Sequence, residues 1–364
     1  MASAPLASLF VEVPERFGDW LHEVYDCFAI ACFAPATMHR ETRLVVEGDV
    51  CPLLIDGLGV AMAWYRHWYG PRWAPLAFEA GRRADVLPAS GRVGAIYFSC
   101  GVDSLYSLRR ITAGMPSAHW GAPRAALFVI GYDLRKPMAI ERALANAQAA
   151  ADLAGLTLVP VRSNIPSLDD DYNLWTLQFG GPGFAALAHA LGRGIARAWL
   201  GADCDIPNLV PWCNHPATAP EFSSHDVEIR QDGIEATRAE KVGAIADWDI
   251  AQRHLRVCTK NPEHMLNCGR CEKCVRTRLE LLAFGSADAL PAFGGSTLSA
   301  ADVNAIEIRM DSIYYDEIVP PLRARGREDL IAAIDERKRE WARYKRWRSG
   351  GTLRARARRL VGAG

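Results

Sequence analysis

The sequence predicts an α/β fold: a parallel sheet flanked by helices, with a small α/β unit ahead of it and a cysteine-bearing segment behind. Three observations predict it. Between residues 93 and 200, short apolar runs bounded by turn residues alternate with longer stretches of helical spacing, the pattern of strands buried on both faces and joined by helical crossovers. Residues 82–92, with Pro, Ser and Gly, read as a linker ahead of that rhythm. Four of the ten cysteines crowd between positions 258 and 274.

In chain order, residues 19–33 are apolar at helical spacing, 43–47 form a short strand, 53–69 a Trp- and Tyr-rich helix, and 74–79 another strand. Four buried strands are expected at 93–98, 125–130, 157–161 and 197–200, with helices at 104–113, 138–153 and 184–196. Residues 233–254 read as one helix before the cysteines, 322–347 has helical composition, and 349–364, rich in Arg, Gly and Ala, reads as a frayed end. The chain accordingly divides into residues 1–90, a sheet domain with the cysteine cluster at 91–285, and a helical extension with a basic tail at 286–364.

Composition narrows the classes. Half of the 364 residues are apolar, enough for a normal buried core. No apolar run reaches the roughly 18 residues of a membrane span, and residues 1–10 lack the basic start and long apolar stretch of a signal peptide. A cytoplasmic protein is expected. There, clustered cysteines are metal ligands, and the scattered ones at 27, 32, 51, 100, 204 and 213 are buried thiols. The formal net charge of zero hides an asymmetry. From Pro321 on there are 14 Arg and Lys against 5 Asp and Glu, leaving 28 basic and 37 acidic residues before it.

The most informative stretch follows the first buried strand: Ser99, Cys100, Gly101, Val102, Asp103 and Ser104, with a helix starting at its end. A strand that turns into a helix aims several backbone N–H groups at one spot, at the positive end of the helix dipole, and small residues let a polyphosphate come close. Ser99 and Ser104 offer hydroxyl donors, and Asp103 a carboxylate for Mg2+ or a water in its shell. The plain alternative is a strand–turn–helix whose Ser and Asp only cap the helix. Asn164, after the third strand, is a weaker candidate for the rim of such a pocket. Trp212, Cys213, Asn214, His215 and Pro216 follow the fourth strand, where a substrate loop would lie.

Cys258, Cys268, Cys271 and Cys274 supply four thiolates, with the last three at steps of three. Four sulfurs suit tetrahedral Zn2+ in a closed, structural site. An iron–sulfur cluster uses the same ligand set and stays open on spacing alone. Arg270, Lys273, Arg276 and Arg278 add positive charge beside the thiolates, for neutralising them or meeting an anion. There is no Ser–His–Asp arrangement and no two-metal carboxylate set in the sequence.

Ser-x-Gly-x-Asp-Ser at residues 99–104 resembles the signature of the PP-loop ATP pyrophosphatase superfamily, with Cys100 where the first glycine stands in Ser-Gly-Gly-x-Asp-Ser. The resemblance implies a PP-loop, HUP-like fold, ATP bound by Ser99, Cys100, Gly101, Val102, Asp103 and Ser104, and catalytic roles for Asp103 and Ser104. Gly131, Tyr132 and Asp133, after the second strand, are similar to the superfamily's adenine-side segment and would line the nucleotide. The downstream Cys-x9-Cys-Gly-x-Cys-x-x-Cys, together with Thr237-Arg-Ala-Glu-Lys-Val242, resembles the 7-cyano-7-deazaguanine synthase family over residues 93–280. That family adenylates a carboxylate, adds ammonia to give an amide, then activates and dehydrates the amide to a nitrile. The implied activity is therefore an AMP-forming, ATP-dependent ligase that joins carbon to nitrogen. Its substrate is a small-molecule or conjugated acid, and an amine donor and a homodimer stay open. An RNA-modifying relative acting on tRNA and a non-catalytic ATP-binding scaffold are the competing readings. For the first of these, residues 336–359, which interleave Arg and Lys with Trp341, Tyr344 and Trp347, would contact RNA. The same stretch also fits a solvated amphipathic helix with a loose end, or one lying on an anionic membrane surface or on the acidic body of its own chain.

Overall fold

The apolar runs assemble into the centre of a six-stranded sheet in a computed structural model of the chain. It describes residues 8–132, 134, 136–169, 171–286, 289–308 and 313–361, with backbone alone at 172, 176, 313 and 348–361. The described residues form two compact units. One comprises the chain up to Lys241 with His254–Arg256, the other Val242–Arg253 with the chain from Val257 onward.

In the first unit the strands are β1 (Val11–Glu12), β4 (Val93–Tyr97), β5 (Pro123–Ile130), β6 (Thr157–Ser163), β7 (Ile195–Gly201) and β8 (Glu228–Asp232), in the order β1-β6-β5-β4-β7-β8. All pairs are parallel except β1 with β6. The chain steps from β4 outward through β5 to β6, then crosses back to β7 and β8 on the other side. This creates a topological switch point between β4 and β7. The crossovers are α3 (Val102–Gly114), α4 (Pro137–Leu153) and, after β6, a helix that starts as α5 (Tyr172–Leu174), passes through a π-helical turn at Trp175–Phe179, and ends as α6 (Gly180–Ala190). Strand β7 begins at Ile195, two residues earlier than expected, and the helix before it ends at Ala190. Strand β8 (Glu-Ile-Arg-Gln-Asp) was not expected: it is an edge strand with one neighbour, so it carries charge instead of an apolar run.

Residues 8–90 lie in this same unit. Helix α1 (Asp26–Met38), strand β2 (Arg43–Val50), helix α2 (Pro52–Tyr69) and strand β3 (Ala77–Arg82) make a β–α–β element whose two strands pair in parallel. Ile30, Phe33, Leu54, Leu58 and Tyr65 share one apolar core with Leu127, Val159, Leu187 and Ile195. A buried ion-pair chain ties the same parts together. Asp26, fully buried at the start of α1, accepts from Cys51 N at 2.8 Å and pairs with Arg83 at 2.6 Å. Arg83 also pairs with Asp226 at 2.6 Å, and Asp226 Oδ1 accepts from Leu87 N. Cutting such a chain at one member leaves a buried charge without its partner, a loss of about 3–5 kcal/mol.

The second unit contains helices α7 (Arg238–Ile245, shared with the first unit) and α8 (Asp249–His254), where a single helix was expected at 233–254. It continues through α9 (Glu272–Ala283), α10 (Ala300–Asn304), α11 (Ile313–Asp316), α12 (Val319–Ala324) and the long α13 (Glu328–Val361). Val275, Leu279, Val303, Tyr315, Leu322, Leu330 and Ile334 form its core. Helix α13 runs on to Val361, through the stretch expected to fray.

Two histidines sit near the ion-pair chain. His189 is 1% exposed, with one ring nitrogen 2.8 Å from Phe222 O and the other 3.3 Å from Ser224 Oγ. Burial pushes its pKa below the ordinary 6.5, and does the same to His22. Each takes up its proton at a lower pH in the fold than in the unfolded chain, so their contribution to stability is complete above pH about 6.5 and is lost as the pH falls below it. Urea unfolding at pH 5.5 should therefore show a lower midpoint than at pH 7.5, and His189→Gln should flatten the difference.

Candidate functional site

Strand β4 ends at Tyr97 and α3 begins at Val102, so residues 98–101 turn the chain at the mouth of the switch point. The turn depends on Cys100, which takes φ +57°, in the left-handed region that favours glycine. Gly101 sits at φ −75°, ψ 167° as the N-cap of α3. The left-handed residue is thus the cysteine at the second position of the Ser99–Ser104 stretch. Its side chain is 1% exposed, and burial raises its thiol to about 12. Cys100 O accepts from Arg256 N at 2.8 Å, and Ser99 O accepts from Arg256 Nη1 at 3.3 Å, so the loop is held by its backbone.

No side chain caps α3. Ser99 Oγ, which is exposed, accepts from Gly101 N at 3.2 Å. Ser104 Oγ, expected to face a phosphate, donates to Gly101 O at 3.0 Å and lies 6% exposed inside the helix turn. Val102 is buried and offers only its backbone. The amides at the start of a 13-residue helix are therefore turned toward the crevice with the positive end of its dipole. Gly201, at the end of β7, lets the helix start come this close: a Cβ there would stand 2.9 Å from the Asp103 carbonyl carbon.

Asp103 is met by two cations that motif reading did not list as site residues. Lys241 Nζ lies 3.6 Å from Asp103 Oδ1 and Arg238 Nη1 lies 3.8 Å from Oδ2. Lys241 is 2% exposed and also donates to Ala202 O at 2.6 Å. Both project from α7, whose start is fixed by a capping box: Thr237 Oγ1 accepts from Glu240 N, and Glu240 Oε2 from Thr237 N. Asp103 Oδ1 is buried and accepts no hydrogen bond among the described residues, so what it faces is the Lys241 ammonium at 3.6 Å. Asn214 donates from Nδ2 to Gly201 O at 2.9 Å, bringing the loop after β7 to the same place.

The other expected residues are distributed differently. Gly131 takes φ +101° at the end of β5, and a Cβ there would meet Ser163 O at 2.6 Å. Tyr132 is 6% exposed, its ring stacked on Phe184 at 5.2 Å and its hydroxyl donating to Gly183 O, so it serves the core. Asp133 lies outside the described residues. Asn164 accepts from Phe10 N and donates to Ser8 O, pinning the chain before β1. His215 accepts from Ala217 N at 3.0 Å, its ring 4.6 Å from Trp68, and burial lowers its pKa.

In the second unit, Cys258, Cys268, Cys271 and Cys274 place their sulfurs within 4.8 Å of one another. Cys258 and Cys271, and Cys268 and Cys274, are 3.9 Å apart. A tetrahedral ion with Zn–S bonds of about 2.3 Å sets its sulfurs about 3.8 Å apart. The four cysteines thus form a cluster that can hold a metal ion such as zinc. Local folding explains the approach. Gly269 takes φ +69° in the turn between Cys268 and Cys271, Cys271 is the N-cap of α9, and Cys274 lies in its first turn. Asn267 Oδ1 accepts from both Val257 N and Cys258 N, while its Nδ2 donates to Ala292 O. Hydrogen bonds from Cys271 and Cys274 push the Cys258 thiol down, and the bond to Cys258 raises Cys271 to about 11. Four thiols at this spacing thus compete for negative charge that a bound cation would let them share.

Two of the flanking arginines, Arg276 and Arg278, serve this unit internally. Arg276 pairs with Glu272 at 2.9 Å and Glu280 at 3.3 Å, and its guanidinium lies 4.7 Å from the Tyr314 ring centroid. Arg278 donates to Ser296 O at 2.7 Å. No helix among the described residues is long and apolar enough to cross a membrane. Comparison with known protein families, with curated proteins and with solved structures found no match.

Two expectations follow. Cys100→Val should lower stability by about 1–3 kcal/mol, since a β-branched residue resists a positive φ, whereas Cys100→Gly should stay within about 1 kcal/mol of wild type; denaturant unfolding of both variants decides. Metal analysis of the purified chain should find a single ion per chain, and Cys274→Ser should lose it together with several degrees of melting temperature.

Proposed function

We propose that the chain is an ATP-dependent enzyme that transfers AMP to the oxygen of a carboxylate or amide, releases pyrophosphate and passes the activated carbon to nitrogen, the chemistry of the 7-cyano-7-deazaguanine synthase family that its motifs resemble. The observation that carries this reading is the uncapped start of α3 at the switch point, with Lys241 and Arg238 converging on Asp103 and Arg256 holding the loop behind it. ATP, when bound, supplies an electrophilic phosphorus and a good leaving group.

The chain's own residues then have distinct tasks. The amides of Val102 and Asp103 and the Ser99 hydroxyl hold anionic oxygens at the dipole end of α3. Lys241 and Arg238 offset negative charge that grows there, in a crevice where Lys241 is almost wholly shielded from water. The Asp103 carboxylate would hold Mg2+ through Oδ1, which accepts no hydrogen bond and has Lys241 Nζ at 3.6 Å. Ser104 keeps a positioning role, locking Gly101 O and thereby the loop. The four cysteines hold Zn2+ in a closed structural site, since the 3.9 Å sulfur spacing matches a single tetrahedral ion.

The test is product analysis after incubation with ATP and Mg2+ against panels of carboxylic acids, amides and amines. AMP and pyrophosphate should appear with the right acid, and Asp103→Ala should slow their release at least about a hundredfold in a variant whose circular dichroism spectrum shows it folded. Release of ADP and phosphate instead would sink the proposal.

A further inference from the structure

We propose that the outer part of α13 is a docking surface for a single-stranded nucleic acid, which stacks its bases on Trp341, Tyr344 and Trp347 and lays its phosphates along the surrounding basic side chains. The helix stops contributing to its own unit's core after Ile334. Leu330, Ile331, Ala333 and Ile334 are buried in the core, but beyond Ile334 none of the described side chains of α13 is buried. The helix nonetheless continues to Val361, about 40 Å at 1.5 Å per residue. Intramolecular packing therefore does not explain its aromatic residues.

Those residues form a ladder. The Trp341 and Tyr344 rings lie 5.4 Å apart at 18°, and Tyr344 and Trp347 lie 6.2 Å apart at 35°. Exposure rises along it, to 44% at Tyr344 and 75% at Trp347. Large aromatic faces kept in water are costly unless a partner covers them, and a flat, stacked, exposed ring is the platform on which a nucleobase continues the stack.

Charge selects the partner. Between Arg337 and Arg359 there are 11 Arg and Lys against one acid, Glu340. Arg337 is committed to Glu340 and Lys338 to Asp316. Arg339, Arg343 and Arg346 are exposed around the ladder, and Lys345 Nζ lies 5.5 Å over the Trp341 ring. A polyanion with aromatic rings at regular intervals complements both features. A membrane surface complements only one. From Asp335 to Arg348 the helix has no Leu, Ile, Val, Met or Phe, so it lacks the aliphatic stripe that sinks an interfacial helix into the acyl boundary.

The experiment is fluorescence anisotropy of a labelled 12-nucleotide oligouridylate with the full chain, repeated with a duplex of equal length and with phosphatidylcholine–phosphatidylserine vesicles. Binding should be micromolar at low salt and weaken steeply with added salt, with a slope of about −0.7 per phosphate contacted. Trp347→Ala and Tyr344→Ala should each weaken it about tenfold with unchanged melting temperature, Trp347→Phe should retain most of it, and Arg343→Glu should reduce the salt slope. Equal affinity of Trp347→Ala and wild type, preference for the duplex or the vesicles, or no binding to the oligomer at about 100 μM would overturn the proposal.

Discussion

The left-handed turn at Cys100 determines what can happen at the carboxyl end of the sheet. With φ +57° there, the chain leaves β4 and enters α3 within a few residues, so the helix starts in the crevice between β4 and β7. A non-glycine residue in that region costs about 1–2 kcal/mol, and the surroundings must over-determine it. They do so from three sides. The thiol is buried, Arg256 holds the carbonyls of Ser99 and Cys100, and Gly201 leaves room where a Cβ would strike Asp103. If the turn relaxed, the amides of α3 would no longer share a point with Lys241 and Arg238.

The parallel core was legible because its strands are buried on both faces, so 93–98, 125–130 and 157–161 read as apolar runs without alternation. The edges were not. Strand β8 is charged because it pairs on one side only, and β1 is two residues long, below the length at which any pattern shows. The boundary errors have local causes as well. The π-helical turn at Trp175–Phe179 brings the helix of the last crossover forward, and α7 and α8 are separate because residues 246–248 turn between two short helices.

At the site, the loop itself was readable because strand, turn and helix are contiguous. The cations were harder: Lys241 and Arg238 lie more than 130 positions beyond Asp103, and the Thr237–Val242 segment that contains them carried no sign of which residue they would meet. Arg256 carried no signal at all, since its main function in the loop is to donate its backbone N–H. The cysteines show the opposite case, in which ligand chemistry alone predicts proximity and the fold supplies the sulfur spacing. Their arginine neighbours show why charge beside a motif is weak evidence. Arg276 is bound between Glu272 and Glu280, acids at i−4 and i+4 that any helical wheel would reveal.

Residues 1–90 look like an independent unit when read for periodicity, because they have a helix–strand–helix–strand rhythm of their own. Their packing gives them a different place. Asp26, Arg83 and Asp226 join them to the segment just ahead of β8, and Tyr65 and Tyr69 of α2 donate their hydroxyls to Gln178 O and Leu177 O in the π-helical turn. Trp68 lies against His215, one residue from Asn214, whose side chain is bonded to Gly201 O at the mouth of the crevice. The aromatic face of α2 therefore braces the loops that border β7, and Tyr132 completes the aromatic packing with Trp175 and Phe184. Tyr132 adjoins a strand end, as expected of a binding residue, but its ring and hydroxyl both face inward; what the second strand contributes at the surface is the backbone of Gly131, shaped by its own positive φ.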